Sequence, residues 1–377
     1  MRLHPLRSIA ATLTVLMFAA CSTPAPKAST VAPVTEGLPS ALQAVIDDAL
    51  AESHVPGAAV IVDAGAEPWV SLTGFSNVAE STRLASSDRF SYRSITKSFI
   101  VTVILKLAAD GAVGLDDPVS RWIPDVPAGA EITLRQLAGM RSGLPSYTRT
   151  DEFRKVFAEN PTATFTDLNL VGFAFREESH FEPGERYEYS NTNTVLLGLV
   201  IEAVTGEDWA SAVGRIITGP LHLASVSYPG PMRIPAPAAT GYRVVDGEVV
   251  EAPTPVATAY SAAGGLSGEI ADLDRWGRAL GSGELLSPEF QGVRLEDASP
   301  VSDDPDSPDY DSYGLGIGEI DGWWGHTGYG LGFSALVMHD PVGQRTITIL
   351  LNGSPRDHDL PAAMFRDFLA ILDDAAA

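Results

Sequence analysis

Residues 94–105 read SITKSFIVTVIL, with a serine and a lysine three positions apart at the start of a long apolar run. Such a run is long enough to form a buried helix, and residues three apart share a helix face. The Lys97 amine can therefore reach the Ser94 hydroxyl. A lysine desolvated by apolar neighbours has a lowered pKa and can take the serine proton, which makes the serine a nucleophile. The alternative is that the serine only lies at a helix start and that the lysine one turn later is unrelated to it.

A second motif, Tyr-Ser-Asn at residues 189–191, lies between a Glu-Pro-Gly turn at 182–184 and an apolar helical run at 195–204. A phenol beside a lysine can relay a proton to a leaving group, and an asparagine amide can hydrogen-bond a substrate carbonyl. Tyr189 is therefore a candidate catalytic residue, and Asn191 is a candidate substrate-binding residue. The alternative is that both residues only cap the helix.

A third motif, His-Thr-Gly at residues 326–328, precedes a strand predicted at 333–338. A glycine on a strand edge lets a substrate backbone approach and add as an extra strand, while Thr327 and His326 offer donors to an anionic group. Because the ordinary pKa of histidine is ~6.5, we expect such binding to weaken as the pH rises through that value. The alternative is a buried structural histidine. The seven histidines form no HExxH or comparable ligand pair, so we expect no metal site.

Predicted strands near both chain ends flank a mostly helical middle. The predicted elements are a helix from residue 39, strands at 57–62 and 69–72, a mostly helical region at 94–209, strands at 313–320, 333–338 and 346–351, and a closing helix at 361–372. This order predicts one sheet assembled from both ends of the chain, with a helical region inserted. We expect the functional site between the sheet and the helical region.

The N-terminus is typical of an exported protein. Residues 1–20 carry two arginines and then an uncharged apolar run that is too short to span a bilayer, which predicts a signal peptide. Small residues precede Cys21, the only cysteine, and resemble a lipobox. We therefore predict a lipidated Cys21, a flexible Pro/Ala/Ser/Thr-rich tether at 21–38 and a folded domain at 39–377, with the protein anchored to the outer face of a bacterial cytoplasmic membrane. The alternative is ordinary cleavage with Cys21 as a bystander.

Composition excludes several classes of protein. With 45% hydrophobic and 19% charged residues, the chain is neither disordered nor fibrous. Its net charge of -23, which becomes more negative without the leader, excludes a nucleic-acid partner and disfavours anionic lipid headgroups. An acidic stretch at 303–311 lacks the glycine turn and closing glutamate of an EF-hand, so we expect a solvated loop.

The three motifs occur once each, in an order that resembles the serine penicillin-recognising enzymes, the superfamily of class C β-lactamases, D-alanyl-D-alanine carboxypeptidases and related esterases. Further matching stretches are Leu115–Val119, Ser142–Pro145, Phe181–Gly184, Ala262–Leu266 and Tyr313–Gly316. The resemblance covers roughly residues 40–375. It implies an α/β (α+β) fold, β-lactamase/transpeptidase-like, with an antiparallel sheet flanked by helices.

The resemblance also implies a role for each motif residue. Ser94 is the acylated nucleophile, Lys97 its base, Tyr189 the proton relay and Asn191 a substrate clamp. The backbone N–H groups of Ser94 and Tyr329 form the oxyanion hole, with His326, Thr327 and Gly328 on the same substrate-binding strand. No metal or organic cofactor is implied.

The implied function is a serine hydrolase that acts on an amide or ester bond of a small-molecule or peptide substrate. Two alternatives stay open: a D-alanyl-D-alanine carboxypeptidase, and a non-catalytic penicillin-recognising wall-binding lipoprotein. An α/β-hydrolase is excluded because the chain has no Gly-x-Ser-x-Gly elbow. The sequence does not indicate an oligomeric state.

The chain departs from the pattern in two places. Gly139–Arg141 replaces the Thr-His-Thr or Ser-His-Thr run of relatives, so we expect different packing near the site. Some carboxypeptidase relatives carry an arginine just after Tyr-Gly-Leu-Gly to hold a terminal carboxylate, whereas this chain has Ile317–Glu319 there. We therefore expect substrates with a free carboxylate to turn over poorly beside neutral amides and esters.

Overall fold

The computed structural model describes residues 37–65, 67–245, 247–253, 256–301, 304, 307–355 and 359–376. All of them belong to one unit of the chain, residues 33–377. The predicted signal peptide, Cys21 and nearly all of the tether lie outside the described residues, as does part of the acidic stretch 303–311. Helix α1 begins at Leu38, one residue before the predicted domain boundary, and buries that leucine.

The described residues form helices and strands with the following bounds. The strands are β1 (Gly57–Asp63), β2 (Trp69–Asn77), β3 (Thr82–Arg83), β4 (Phe90–Ser91), β5 (Tyr242–Val245), β6 (Glu248–Glu251), β7 (Ser267–Gly268), β8 (Ser299–Pro300), β9 (Ser312–Tyr313), β10 (Gly318–Ile320), β11 (Trp323–Gly330), β12 (Phe333–Asp340), β13 (Arg345–Leu351) and β14 (Gly353–Ser354). The helices are α1 (Leu38–Ser53), α2 (Thr96–Ala109), α3 (Leu134–Ala138), α4 (Asp151–Glu159), α5 (Asp167–Ala174), α6 (Asn191–Thr205), α7 (Trp209–Val213), α8 (Ile270–Ser282), α9 (Pro288–Glu296) and α10 (Leu360–Ala376).

The main sheet is antiparallel and joins the two ends of the domain. Its strand order is β3-β2-β1-β13-β12-β11-β10-β9-β8. Strand β1 pairs with both β2 and the late strand β13, in a register that sets Ala58 opposite Leu351. Helices α2 to α7 lie between β4 and β5 in the chain. The predicted fold class, an antiparallel sheet built from both ends with a helical insertion, is confirmed.

The central strands are buried on both faces, which explains their continuous apolar sequence. In β12, Ala335 and Val337 belong to one hydrophobic core, while Leu336 and Met338 belong to the other. Helix α8 packs on β12 and β13 and contributes to the first core, whereas α1 and α10 pack together and contribute to the second. Because side chains alternate along a strand, two covered faces favour an unbroken apolar run, as at residues 335–338.

The stretch 313–320, predicted as one strand, is two short strands separated by a turn. The N–H of Gly314 donates to the carbonyl of Ile317, and Gly316 has a φ of +66° that favours glycine. The backbone of this turn therefore takes no part in the ladder of hydrogen bonds that pairs β9 with β10. No helix in the described part of the chain is both long and apolar enough to cross a membrane.

Candidate active site

Ser94 lies in a short 3-10 turn, Arg93–Ile95, that leads directly into α2. All residues of α2 from Thr96 to Leu105 are buried, because this helix runs through the larger core. The three-residue spacing therefore brings Lys97 to Ser94 on the first turn, and Lys97 Nζ lies 2.9 Å from Ser94 Oγ. A second hydrogen bond, of 2.6 Å, runs from Lys97 Nζ to the carbonyl oxygen of Ala263.

The environment of Lys97 favours its uncharged form. Its side chain is 0% exposed, and burial holds its pKa well below the ordinary value of 10.5. No acidic side chain among the described residues opposes this effect. An uncharged amine within hydrogen-bond distance of a serine hydroxyl is the arrangement that proton abstraction needs.

Tyr189 and Asn191 lie at the start of α6, beside this pair. Lys97 Nζ is 5.0 Å from the centre of the Tyr189 ring. The Tyr189 hydroxyl is buried and has no hydrogen-bond partner within the described chain. Burial raises the pKa of Tyr189, and the nearby Ser94 hydroxyl partly counters this effect, so the phenol is neutral and keeps its proton. Asn191 is held in place because its Nδ2 donates to Thr148 Oγ1 over 2.8 Å.

The third motif lies on the half of β11 that has a free edge. Strand β10 pairs only with the first three residues of β11, so residues 326–330 have β12 as their single strand partner. The N–H of Thr327 points to this edge and donates to Tyr310 Oη over 2.6 Å. The N–H of Tyr329, two residues on, points the same way. The N–H of Ser94 lies in the first turn of its helix start, where backbone donors have no acceptor within the helix.

Gly328 is required by packing between β11 and the turn that carries Ser94. A Cβ atom at this position would lie 2.4 Å from the Tyr92 carbonyl oxygen, 3.0 Å from Arg93 Cβ and 3.3 Å from the Ser94 nitrogen. From the sequence, we predicted that this glycine lets a substrate backbone approach. The close approach is instead made by the protein's own backbone at residues 92–94.

We expect Gly328→Ala to lower kcat/KM by at least ~10²-fold, because the added methyl pushes β11 away from Ser94 and separates the two oxyanion donors. The measurement is steady-state hydrolysis, with circular dichroism to show that the fold persists. Gly172→Ala in α5 is the matched control, since its Cβ would meet only Arg176 Nη1 at an ordinary 3.6 Å. Wild-type activity in a folded Gly328→Ala protein would contradict this role.

His326 is not in the cleft, and its predicted role as a substrate-binding cation is wrong. It is 0% exposed, and the hydroxyls of Tyr313 and Tyr310 lie 3.0 Å from its Nε2 and 3.2 Å from its Nδ1. Burial, with a smaller contribution from the Lys97 charge, lowers its pKa to about 3. The ring is therefore neutral near pH 7. Side chains alternate along β11, so His326 faces the interior while Thr327 faces the cleft.

Residues 317–319, from which we predicted poor turnover of free carboxylates, are not among the residues that line the cleft. Gly318 packs under the Tyr310 ring, where a Cβ atom would lie 2.3 Å from a ring carbon. Glu319 caps the turn between β10 and β11, since its carboxylate accepts from the N–H of Gly322 over 2.6 Å. Gly318 pairs with Gly325, before the free half of β11 begins. The preference against free carboxylates therefore stays a prediction that the packing of these residues does not support.

A cleft of about 150 Å³ brings the motif residues together. It is lined by Ser94, Arg149, Tyr189, Asn191, Pro308, Thr327, Gly328 and Tyr329. Arg149 was not predicted, and its charge acts on Tyr189, whose pKa it lowers against the effect of burial. Its one sequence signal is its place four residues after the matching stretch Ser142–Pro145. No group of three or more potential metal ligands occurs among the described residues.

Comparisons with known proteins identify a family model and related proteins. A family model described as Beta-lactamase matches residues 42–370. Protein flp of Staphylococcus aureus strain NCTC 8325 is 29% identical over 50% of this chain and 38% of its own length. Penicillin-binding protein 4* of Bacillus subtilis is 30% identical over 37% of this chain and 30% of its own length. The chain therefore spans well under half the length of these curated relatives.

Two solved structures are similar over most of the chain. A D-stereospecific amidohydrolase from Streptomyces sp. is 32% identical, with a TM-score of 0.75, over 84% of this chain and 94% of its own. D-amino acid amidase from Ochrobactrum anthropi SV3, complexed with L-phenylalanine amide, is 25% identical, with a TM-score of 0.80, over 91% of this chain and 100% of its own.

Proposed function

The chain belongs to the beta-lactamase family, and from that premise we propose that it is a serine hydrolase that forms an acyl-enzyme at Ser94. One observation carries the proposal. Lys97 Nζ lies 2.9 Å from Ser94 Oγ in a fully buried setting that favours the neutral amine. A serine and an uncharged base at this distance supply the nucleophile that acyl transfer needs.

The proposed reaction proceeds in two halves. Neutral Lys97 takes the proton of Ser94 while the serine oxygen attacks the carbonyl carbon of the substrate. The N–H groups of Ser94 and Tyr329 stabilise the resulting oxyanion. Tyr189 gives its proton to the leaving group and recovers one from the Lys97 ammonium, leaving an acyl ester on Ser94. Water then attacks this ester, and the acid product and the free serine hydroxyl are released.

We propose small amides or esters as the substrate class. Support comes from the two solved structures, whose names describe an amidohydrolase and an amidase. Asn191 and Thr327 both line the small cleft and can hold a substrate amide. A D-alanyl-D-alanine carboxypeptidase is the second candidate, because Arg149 places a cation in the same cleft and guanidinium binds carboxylates.

A panel of substrates tests the proposal and separates the two candidates. We expect the wild type to hydrolyse D-phenylalanine amide or a p-nitrophenyl ester faster than a D-Ala-D-Ala peptide with a free carboxylate. If the protein is a carboxypeptidase, Arg149→Gln loses activity on the peptide with a free terminal carboxylate. It keeps its activity on the same peptide with an amidated terminus. Arg154→Gln, an exposed arginine outside the cleft, is the control. No hydrolysis of any of these substrates would instead favour a non-catalytic wall-binding protein.

The cellular location is a separate proposal that rests on the sequence of residues 1–38. We propose that Cys21 carries a lipid that anchors the protein to the outer face of the bacterial cytoplasmic membrane. Only this cysteine can take a thioether-linked lipid. Expressed in its host, Cys21→Ser protein is expected to move from the membrane fraction to the soluble fraction. Continued sedimentation with membranes after a salt wash would show that the anchor lies elsewhere.

A further inference from the structure

A second cavity, of about 170 Å³, lies on the far side of the residue that precedes the nucleophile. We call it the Arg93 cavity. Its walls include Arg93, Ser91, Tyr260 and Phe333, and the proline-rich segment 229–234 contributes further residues. It shares no lining residue with the catalytic cleft. The proposed reaction makes no use of it.

Arg93 is a buried cation to which the described residues offer no counter-ion. Its side chain is 4% exposed, and its Nη2 donates to the carbonyl oxygen of Leu331 over 2.5 Å. The guanidinium lies 4.7 Å from the centre of the Tyr260 ring and 5.5 Å from that of Phe333. Its Nε is buried and has no hydrogen-bond partner in the described part of the chain.

The charge of Arg93 also lacks a carboxylate partner in the described part of the chain. Burial lowers its pKa, and Tyr260 counters part of this effect. A charge removed from water without an ionic partner is costly to a folded protein. An anion that enters the cavity would remove this cost, because it would pair with the guanidinium away from bulk solvent.

The residues that line the Arg93 cavity indicate which chemical class of anion fits there. Guanidinium N–H groups match the planar, two-oxygen geometry of a carboxylate. The aromatic rings of Tyr260 and Phe333 suit an apolar body beside that carboxylate. The volume is close to that of a cavity of ~150 Å³ that accepts benzene. Two exposed charges of opposite sign, Arg233 and Glu251, also line it and offset each other.

We propose that the Arg93 cavity is a binding site for a small carboxylate with a ring or short apolar body, separate from the catalytic cleft. The carboxylate pairs with the Arg93 guanidinium, and the apolar body packs against the aromatic walls. This proposal goes beyond the proposed function. It is tested by binding rather than by turnover, so its failure and that of the hydrolase proposal are distinguishable.

Benzoate and its neutral analogue benzamide are matched probes for this site. In protein labelled with ¹³C at the methionine methyls, we expect benzoate to shift the Met232 signal saturably, because Met232 lines the cavity. The Met140 signal, from a methionine buried beside Asn193, should not move. Benzamide should bind at least about tenfold more weakly, since it lacks the charge-assisted contact. Equal affinity for the two probes, or no Met232 shift with millimolar benzoate, would overturn the proposal.

Two variants assign the binding to one arginine. Arg93→Met is expected to weaken benzoate binding by at least about tenfold, with the charge removed and the apolar side-chain volume largely kept. Arg149→Met, which removes the cation of the catalytic cleft, should leave the Met232 shift unchanged. Loss of that shift in Arg149→Met but not in Arg93→Met would overturn the proposal. If Arg93→Met does not fold, the comparison of benzoate with benzamide on the wild type decides the question alone.

Discussion

Ser94→Ala is expected to lower kcat/KM for amide and ester substrates by at least ~10³-fold, the largest effect of any single substitution in this protein. The reason is that Ser94 Oγ is the proposed acceptor of the acyl group. The Thr327 hydroxyl is engaged with Tyr310 Oη at 2.8 Å, whereas Ser94 Oγ is the hydroxyl within hydrogen-bond distance of the Lys97 base. The measurement is steady-state hydrolysis of the best substrate of the panel.

Ser190→Ala is the matched control for that substitution. Ser190 lies within the Tyr-Ser-Asn motif, yet its buried hydroxyl has no hydrogen-bond partner among the described residues. Loss of an unpartnered hydroxyl costs little, so activity should stay within about twofold of the wild type. Both variants should unfold at nearly the wild-type temperature. A folded Ser94→Ala protein with wild-type turnover would refute the nucleophile assignment.

Lys97→Met is expected to lower kcat/KM by at least ~10²-fold, the lower range for loss of a general base. Methionine fills the apolar volume of the lysine stem but leaves the Ala263 carbonyl oxygen without its donor, so the free energy of unfolding should fall by about 1–3 kcal/mol. Lys106→Met on the same helix is the control. Lys106 is partly exposed, and it should tolerate the change without loss of activity.

The pH profile gives the Lys97 prediction a second readout. Lys97 acts as a base only in its neutral form, and burial lowers its pKa well below 10.5. The rate should therefore rise with pH through that lowered pKa and then level off. Lys97→Met should lose this rising limb along with the rate. An unchanged pH profile in a variant of reduced activity would show that another group is the base.

The sequence predicted the parts of the site that depend on local geometry. Ser94 and Lys97 are three residues apart at the start of a helix, so helical spacing alone brings them into contact. Strands near both chain ends were also predicted correctly, because a sheet covered on both faces carries apolar runs such as residues 335–338. These features can be predicted without knowing which residues distant in sequence lie nearby in the fold.

The wrong predictions concern residues whose positions depend on which face of a strand the side chain occupies, or on how two neighbouring strands pair. Strand β11 carries three glycines and two tryptophans, and this pattern has no clear alternation to show which side chains face inward. His326 was therefore assigned to the wrong face. The position of Gly318 depends on where the pairing between β10 and β11 ends, and no local sequence pattern predicts that point. Arg149 was missed because chain folding, rather than sequence spacing, brings it beside Tyr189.

Intact-mass analysis of acid-quenched wild-type protein tests the central claim most directly. The protein is exposed separately to a penicillin, an acyl ester and a D-Ala-D-Ala peptide, quenched within the first turnover, and then digested to locate any adduct. We predict one acyl group per chain from at least one of these reagents, on the peptide that contains Ser94. An adduct on another residue, or consumption of substrate with no acyl-protein at any quench time, would contradict the account.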